Sequence, residues 1–480
     1  MSLTNSEKAA LSALRTEAEA LFFEGTHALS AGDLTAAGSA LRKAIDLVPD
    51  FAEAHANLAL VLEKQEDFAA AEICYRKSIE FNPGIARTHL NLGVLLAAQK
   101  RFHDAEAAYL KSLSLDGQSA VAWSNLGVLY ACMKREIESE RCYQSAMGLD
   151  PEYKLAQFNF SYLLLRQGRY EEGWQCFEAR DWYAPFALRT NCPRWQGEPL
   201  AGKSLLIGYE AGHGDMIQFG RYAAELKKRG AGHITMVCHP ALKRLFSTLK
   251  SVNGVASFDE AIPATGFDYW TPPLSIPYYC ATRLDSIPAE LPYLSARAAE
   301  TEKWAGHLAS ERLRVGLAWK GNPKFESDGD RSLSSLDLLA PLGAVPGVQF
   351  ISLQKGAGED EAMHPPEGLT LIPLGATVDD FADTAAIISN LDLVISVDTA
   401  AAHLAGAMGK PCWVLLPHYK TDWRWLAARN DSPWYPQVMQ LFRQTVPGQW
   451  QAVIAEVVVA LASFVRDREG PAAPGVAFDR

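Results

Sequence analysis

The first third of the chain repeats itself every 34 residues. A small residue recurs at Gly25, Ala59, Gly93, Gly127 and Ser161, and a large apolar one at Leu41, Tyr75, Tyr109, Tyr143 and Phe177. Pro49, Pro83 and Pro151 close three of the units, and Gly117 stands in the corresponding place of the third. A period of this length holds two helices and their turns, which cannot bury an apolar face alone and so must stack. The small residue lets one helix approach the next, the large residue fills the gap, and proline ends the second helix. Five helical hairpins are therefore predicted, at 18–51, 52–85, 86–119, 120–153 and 154–180. The last is degenerate, with Gly173 where alanine is usual, which suits a unit that caps the array or docks it onto the next domain.

This pattern resembles the tetratricopeptide repeat (TPR), whose arrays are partner-binding surfaces. Asn57, Asn91, Asn125 and Asn159 keep the same spacing and occupy one place in the first helix of their units. An amide offers one acceptor and two donors, enough to pair with the backbone of an extended peptide whatever its side chains. These four asparagines are the candidate acceptor-peptide site, and a protein or peptide is the partner they suggest.

Composition excludes several classes. With 48% hydrophobic and 21% charged residues, the chain of 480 reads as globular and multi-domain. A net charge of −11 argues against nucleic acid as the main partner. Eight cysteines without close pairing suggest reduced thiols, neither a disulfide framework nor a zinc site. No apolar run approaches the roughly twenty residues of a membrane span. The N-terminal MSLTNSEKAALSALRTEAEA is charged and amphipathic, unlike a signal peptide, so a cytoplasmic location is expected.

After the array, 182–202 is rich in proline and aromatics and is read as a linker packed between domains. KSLLIGY, the glycine-rich EAGHGD, a helix through MIQFGRYAAELKKRG, HITMVCH and PALKRLFSTLK then alternate strand and helix. A second alternation runs from RVGLAWKG to the helix QAVIAEVVVALASFVRD. Alternation of this kind signals parallel sheets with helices on both faces. The expected organisation is a TPR superhelix at 1–181, the linker at 182–202, one Rossmann-like half at 203–308, a second at 309–467, and a disordered tail at 468–480.

The sharpest local signal is LDLVISVDTAAAHLAGAMGKPCWVLLP, a strand, a helix and a second strand joined by very short turns. Asp398 or Thr399 would cap the helix, and its positive end favours phosphate. His403 lies one turn in, on the same face as Thr399.

VDTAAAHLAGAMGKP is similar to the nucleotide-binding motif of the ADP-heptose:lipopolysaccharide heptosyltransferase family, and AGHGDMIQF to that family's glycine–aspartate turn. PRWQGEPL, GDMIQFGRY, LAWKGNP, SLQKG, DFADTAA and DWRW…SPWYP together resemble bacterial proteins in which such a domain follows TPRs. The layout is also similar to O-GlcNAc transferase and to flagellin glycosyltransferases. The resemblance implies the glycosyltransferase B (GT-B) fold, two doubly wound Rossmann-like halves, and metal-independent, inverting sugar transfer from a nucleotide sugar. The chain departs from the heptosyltransferases at Ala400, where their motif has glycine, and from the TPR-linked proteins at His213, where an aliphatic residue is commoner.

Such a transfer needs a base for the acceptor hydroxyl and positive charge for the leaving diphosphate. No paired carboxylates mark a metal site, so neither metal nor cofactor is expected and the charge must come from the protein. Lys324 and Arg331, in the loop after one strand, and the Asp398–Thr399 helix start with His403 are the candidates for the nucleotide sugar. Gln354, which ends the next strand, joins them. Asp215 is the candidate base, at the position where the resemblance places the family's catalytic aspartate. His213 is the alternative, because histidine titrates near neutral pH unaided. Trp423, Arg424, Trp425, Trp434 and Tyr435 could wall the site or belong to the core. The acceptor could equally be a lipid-linked surface saccharide, or the whole chain a non-catalytic scaffold.

Overall fold

The computed structural model describes residues 4–262 and 266–469. The chain divides into two compact units, 1–160 and 161–480. The tail expected to be disordered lies, from residue 470 on, outside the described residues.

The first unit is a TPR-like helical solenoid. Its hairpins pair Asn5–Ser30 with Leu34–Leu47, Ala52–Lys64 with Phe68–Phe81, Ala86–Ala98 with Phe102–Leu115, and Ala120–Cys132 with Glu136–Leu149. The small–large pairing acts as steric fit: a Cβ added to Gly93 would stand 2.6 Å from the Tyr109 ring, and one on Gly127 2.9 Å from Tyr143. A second device recurs with the period. The side-chain N–H of His55 donates to Pro49 O at 2.9 Å, that of His89 to Pro83 O at 3.0 Å, and that of Trp123 to Gly117 O at 3.1 Å. Gln157 does the same to Pro151 O at 2.5 Å. Each joint between hairpins thus ties a carbonyl of the turn, one residue past the C-cap, to the first turns of the next helix. Outside, Arg101 pairs with Glu72 and Arg135 with Glu106, both at 2.7 Å. Half-exposed pairs of this kind are worth little singly.

The fifth hairpin pairs Lys154–Arg166 with Tyr170–Phe177; the second unit begins within the first of these helices, takes in the second, and continues with the short helix Ala184–Ala187. The array expected to end at residue 181 therefore gives its last helix to the α/β unit. Tyr170, Trp174 and Phe177 are fully buried there. Trp174 meets Trp423 edge-on at 5.2 Å, and its Nε1–H donates to Thr282 O at 3.0 Å. The 182–202 segment packs on the first sheet: Phe186 lies in a cluster with Leu206, Val237 and Trp270.

The rest of this unit is built on two parallel sheets. The first contains β1 (Ser204–Ile207), β2 (His233–Cys238), β3 (Gly254–Ser257) and β4 (Tyr269–Thr271), in the order β3-β2-β1-β4. The second contains β5 (Leu313–Ala318), β6 (Val348–Ser352), β7 (Leu371–Pro373), β8 (Leu393–Val397), β9 (Cys412–Leu416) and β10 (Met439–Arg443), in the order β10-β9-β8-β5-β6-β7. Counted from β5, that is the 3-2-1-4-5-6 order of a dinucleotide-type sheet, and the first sheet has its 3-2-1-4 part. Every ladder is parallel, for example Val315↔Leu393 and Val394↔Cys412. Val315, Leu317, Ile395, Val397 and Leu415 form one core with the helix Trp450–Glu469, through its Trp450, Ile454, Val457 and Leu461.

Several local expectations change. The helix read through MIQFGRYAAELKKRG is two, His213–Phe219 and Tyr222–Lys228. The break comes where Arg221 turns its side chain inward and its Nε–H takes Gln218 O at 2.9 Å. PALKRLFSTLK forms only a 3-10 turn and one helical turn, and Leu336–Ala344, with Pro341 inside it, is 3-10 rather than α. YWT, which no strand-length apolar run marks, is β4. The crossover between halves comes before residue 308: Tyr293 and Leu294 donate their amides to Ala407 O, and Asn390 Nδ2 donates to Thr301 O. Among the described residues no helix is long and apolar enough to cross a membrane.

Candidate functional site at the sheet switch points

In doubly wound sheets ligands bind beyond the carboxyl ends of the strands, where the strand order reverses. In the second sheet that point lies between β5 and β8. The loop after β5 carries Lys324 and Arg331, and the turn after β8 carries Asp398, Thr399 and the helix Ala400–Ala407 with His403. In the first sheet it lies between β1 and β4, and the turn after β1 leads into the helix His213–Phe219 with Asp215. The two helix starts abut: a Cβ on Gly214 would stand 3.0 Å from His403 Cδ2 and 3.6 Å from Ala400 Cα. The turn that bears His213 and Asp215 is thereby brought against the turn that bears Asp398, Thr399 and His403.

Each is held differently. Thr399 occupies the N-cap position but makes no side-chain cap bond; its hydroxyl pairs with Ser396 Oγ at 2.9 Å. The cap that the sequence suggests is not made: the Thr399 hydroxyl is turned to Ser396 instead of to the helix amides. His403 Nδ1 pairs with the Tyr435 hydroxyl at 2.9 Å, its ring stacks on Trp425 at 5.3 Å, and Nε2 lies 3.8 Å from Asp398 Oδ1. Burial, with Arg424 and Arg221 nearby, holds His403 well below the usual imidazole range, so it is neutral. Burial and the charge of Asp422 raise Asp398 to about 6, against the pull of Trp425, Arg331 and Arg424.

Asp215 sits in the first helical turn. Its Oδ2 accepts the Gly212 N–H at 2.9 Å, and its Oδ1 accepts from Arg424. Arg424 also forks onto Asp422 at 3.0 Å and reaches Gln218 Oε1 at 2.5 Å. Buried charges persist only when paired in this way. His213 is a correction. Burial, with the His239 ring 4.5 Å away, lowers it to about 4, so it does not titrate near neutral pH.

The remaining candidates divide. Arg331 lies over the Phe325 ring at 4.4 Å, its Nε–H on Asp328 at 3.0 Å, folded against Gly321. Lys324 is exposed. Gln354, expected among the nucleotide-sugar residues, is turned into its own loop. Its Oε1 accepts the Trp319 and Lys320 amides, and its Nε2 donates to Lys320 O and Ala357 O. It is a brace for the loop after β5, with its polar atoms already engaged. Asn57, Asn91, Asn125 and Asn159 all stand in the sixth position of their helices and are half-buried, with Asn57 Nδ2 on Thr26 Oγ1 at 2.9 Å. Trp423, Trp425, Trp434 and Tyr435 are core, each 1% exposed or less. Arg424 is the residue whose importance the sequence hid; the one local signal is a charge set between two tryptophans. Among the described residues no group of three or more His, Cys, Asp or Glu side chains could hold a metal ion.

The depressed histidines set a pH dependence. A histidine lowered on folding contributes stability above its unfolded value near 6.5, and that contribution is lost as pH falls towards the folded value. His213, lowered to about 4, and His403 both act in this sense, while Asp398, raised to about 6, acts in the opposite one over a narrower range. Stability should fall from pH 7 to pH 5, and His213→Phe should flatten the slope by up to about 1.4 kcal/mol per pH unit. Thermal melts across that range check it; a variant with the parent slope would show His213 to be uninvolved.

Residues 47–150 match the profile of the cilia and flagella-associated protein 70 middle TPR-like domain. Protein FlbA of Caulobacter vibrioides is 28% identical over 303 residues, covering 56% of this chain and 48% of FlbA. The chain thus spans about half the length of that relative, and the likeness reaches beyond the first unit, 1–160. Among solved structures, pilF of Pseudomonas aeruginosa is 25% identical over 35% of this chain and 76% of that chain, with a TM-score of 0.33. YrrB, described as a TPR protein with an unusual peptide-binding site, is 16% identical over 36% of this chain and 89% of that chain, with a TM-score of 0.31.

Proposed function

We propose that the second unit is a GT-B-type, metal-independent, inverting glycosyltransferase that moves a sugar from a nucleotide sugar to a protein held by the TPR-like array. The observation that carries this reading is the meeting of two helix starts at the switch points, one uncapped by any side chain and one bearing Asp215. The uncapped end of Ala400–Ala407 offers backbone N–H groups and positive dipole to a diphosphate. Neutral His403 adds a hydrogen-bonding group there, Arg331 and Lys324 add charge, and Asp215 takes the acceptor proton. The asparagines would hold an extended acceptor segment by its main chain. A scaffold without catalysis is the second reading, favoured by the Asp215–Arg424 pair, which leaves that carboxylate already neutralised.

A thermal-shift series with nucleoside diphosphates and nucleotide sugars tests the proposal, since a ligand bound only by the native state raises the melting temperature. At least one diphosphate should stabilise the protein, and Arg331→Ala and His403→Ala should each weaken the effect tenfold or more. A series in which no nucleotide shifts the melt, or in which both variants respond like the parent, would sink it.

A further inference from the structure

The end of the fifth hairpin and the turn after β1 share a buried ionic cluster. Arg180, three residues past the helix Tyr170–Phe177, has a side chain with no solvent exposure, and so has Glu210. Nε–H meets Glu210 Oε1 at 2.7 Å and Nη2–H meets Oε2 at 3.1 Å, the two-pronged arrangement available only to arginine. Nη2 also donates to Ser275 Oγ at 2.8 Å, just past β4, and Nη1 to Glu178 Oε1 at 2.8 Å. Arg194 closes the cluster on Glu178 and on Ser275 Oγ. Two arginines and two glutamates leave it neutral, as burial requires.

Glu210 belongs to the turn that sets Asp215. Gly208 donates its amide to Thr271 O at 2.9 Å, and a Cβ there would stand 2.7 Å from the Phe186 ring. Ala211 is held at φ 58, a left-handed conformation that alanine adopts only under restraint, and its carbonyl accepts from His239 at 3.0 Å. Gly212 then gives its amide to Asp215. Four of the five residues between β1 and the helix are thus gripped, and the one ionic grip comes from outside both sheets.

We infer that Arg180 is a positioning residue of the candidate site: acting through Glu210, it fixes the strained turn that aims His213 and Asp215. The last TPR-like helix and the site then form one mechanical piece, and the segment leaving the array is part of the site's framework. The role in turnover rests on the glycosyltransferase reading; the role in holding the turn does not.

The test compares full-length Arg180→Met with Arg180→Met/Glu210→Met. The single change strands a buried carboxylate and should lower the melting temperature. The double change removes both charges and should recover most of that loss, because an apolar pair of similar volume often replaces a buried ion pair without penalty. In the double variant, amide hydrogen exchange across 208–216 should still be at least tenfold faster than in the parent, with the rest of the second unit unchanged. With a nucleotide-sugar donor identified, kcat should fall tenfold or more at unchanged donor KM, since the donor residues lie on the second sheet. Parent-like exchange at 208–216 in the double variant would reduce Arg180 to a packing residue and overturn the inference. Faster exchange in a protein that turns over no nucleotide sugar would uphold the positioning role and reject the glycosyltransferase.

Discussion

A chain beginning at Lys154 is expected to keep the second unit folded, and one beginning at Trp182 is expected not to fold. The shorter chain lacks Tyr170, Trp174 and Phe177, all fully buried against or beside Trp423 and Trp434. Losing one large buried aromatic costs about 3–5 kcal/mol. Against a total of roughly 5–15 kcal/mol for a domain, losing three of them exceeds what remains. The shorter chain also strands Glu210 without Arg180. Circular dichroism melts of the two fragments decide the matter: a chain from Trp182 that melts cooperatively at the longer fragment's temperature would show that the fifth hairpin is an ornament.

Asp215→Asn should leave the fold intact and lower turnover by roughly 10²–10⁴-fold, the usual span for a lost general base. The amide oxygen can still accept the Gly212 N–H, and Arg424 keeps its fork on Asp422 and its bond to Gln218. The substitution removes the negative charge that would receive the acceptor proton. Nucleotide binding, measured alongside, should survive, because the groups assigned to the diphosphate lie beyond β5 and β8. Parent-like turnover would move the base elsewhere, and loss of binding together with turnover would mean that the variant disturbs the meeting of the helix starts.

The array is legible in the sequence because its period constrains every position at once, down to the ring under each small residue. The donors at 55, 89, 123 and 157 are equally present in the chain but are two histidines, a tryptophan and a glutamine, alike only in an N–H at one reach, so identity matching passes over them. β4 and β7 escape for another reason. Each is three residues long beside or ending in proline, and only the neighbouring strand makes it a strand. At the site, Asp398, Thr399 and His403 can be found because one strand–helix turn carries all three. Arg424 cannot, since its partner Asp215 is 209 positions away, and Glu210 has its counter-ion 30 positions before it. Misjudging His213 has the same root: its basicity is set by burial beside His239, which no local pattern reports.

The clasp between successive hairpins also gives the solenoid a direction. At its first joint the donor is the His55 imidazole, and at its last two it is indole and amide, which do not titrate. Burial lowers the His55 imidazole, so acid must charge a group that the folded joint prefers neutral. In a linear array each unit leans only on its neighbours, and loss can spread from one end without crossing the whole. Acid should accordingly unzip this rod from its N-terminal end, while the joints at Trp123 and Gln157 stay fastened.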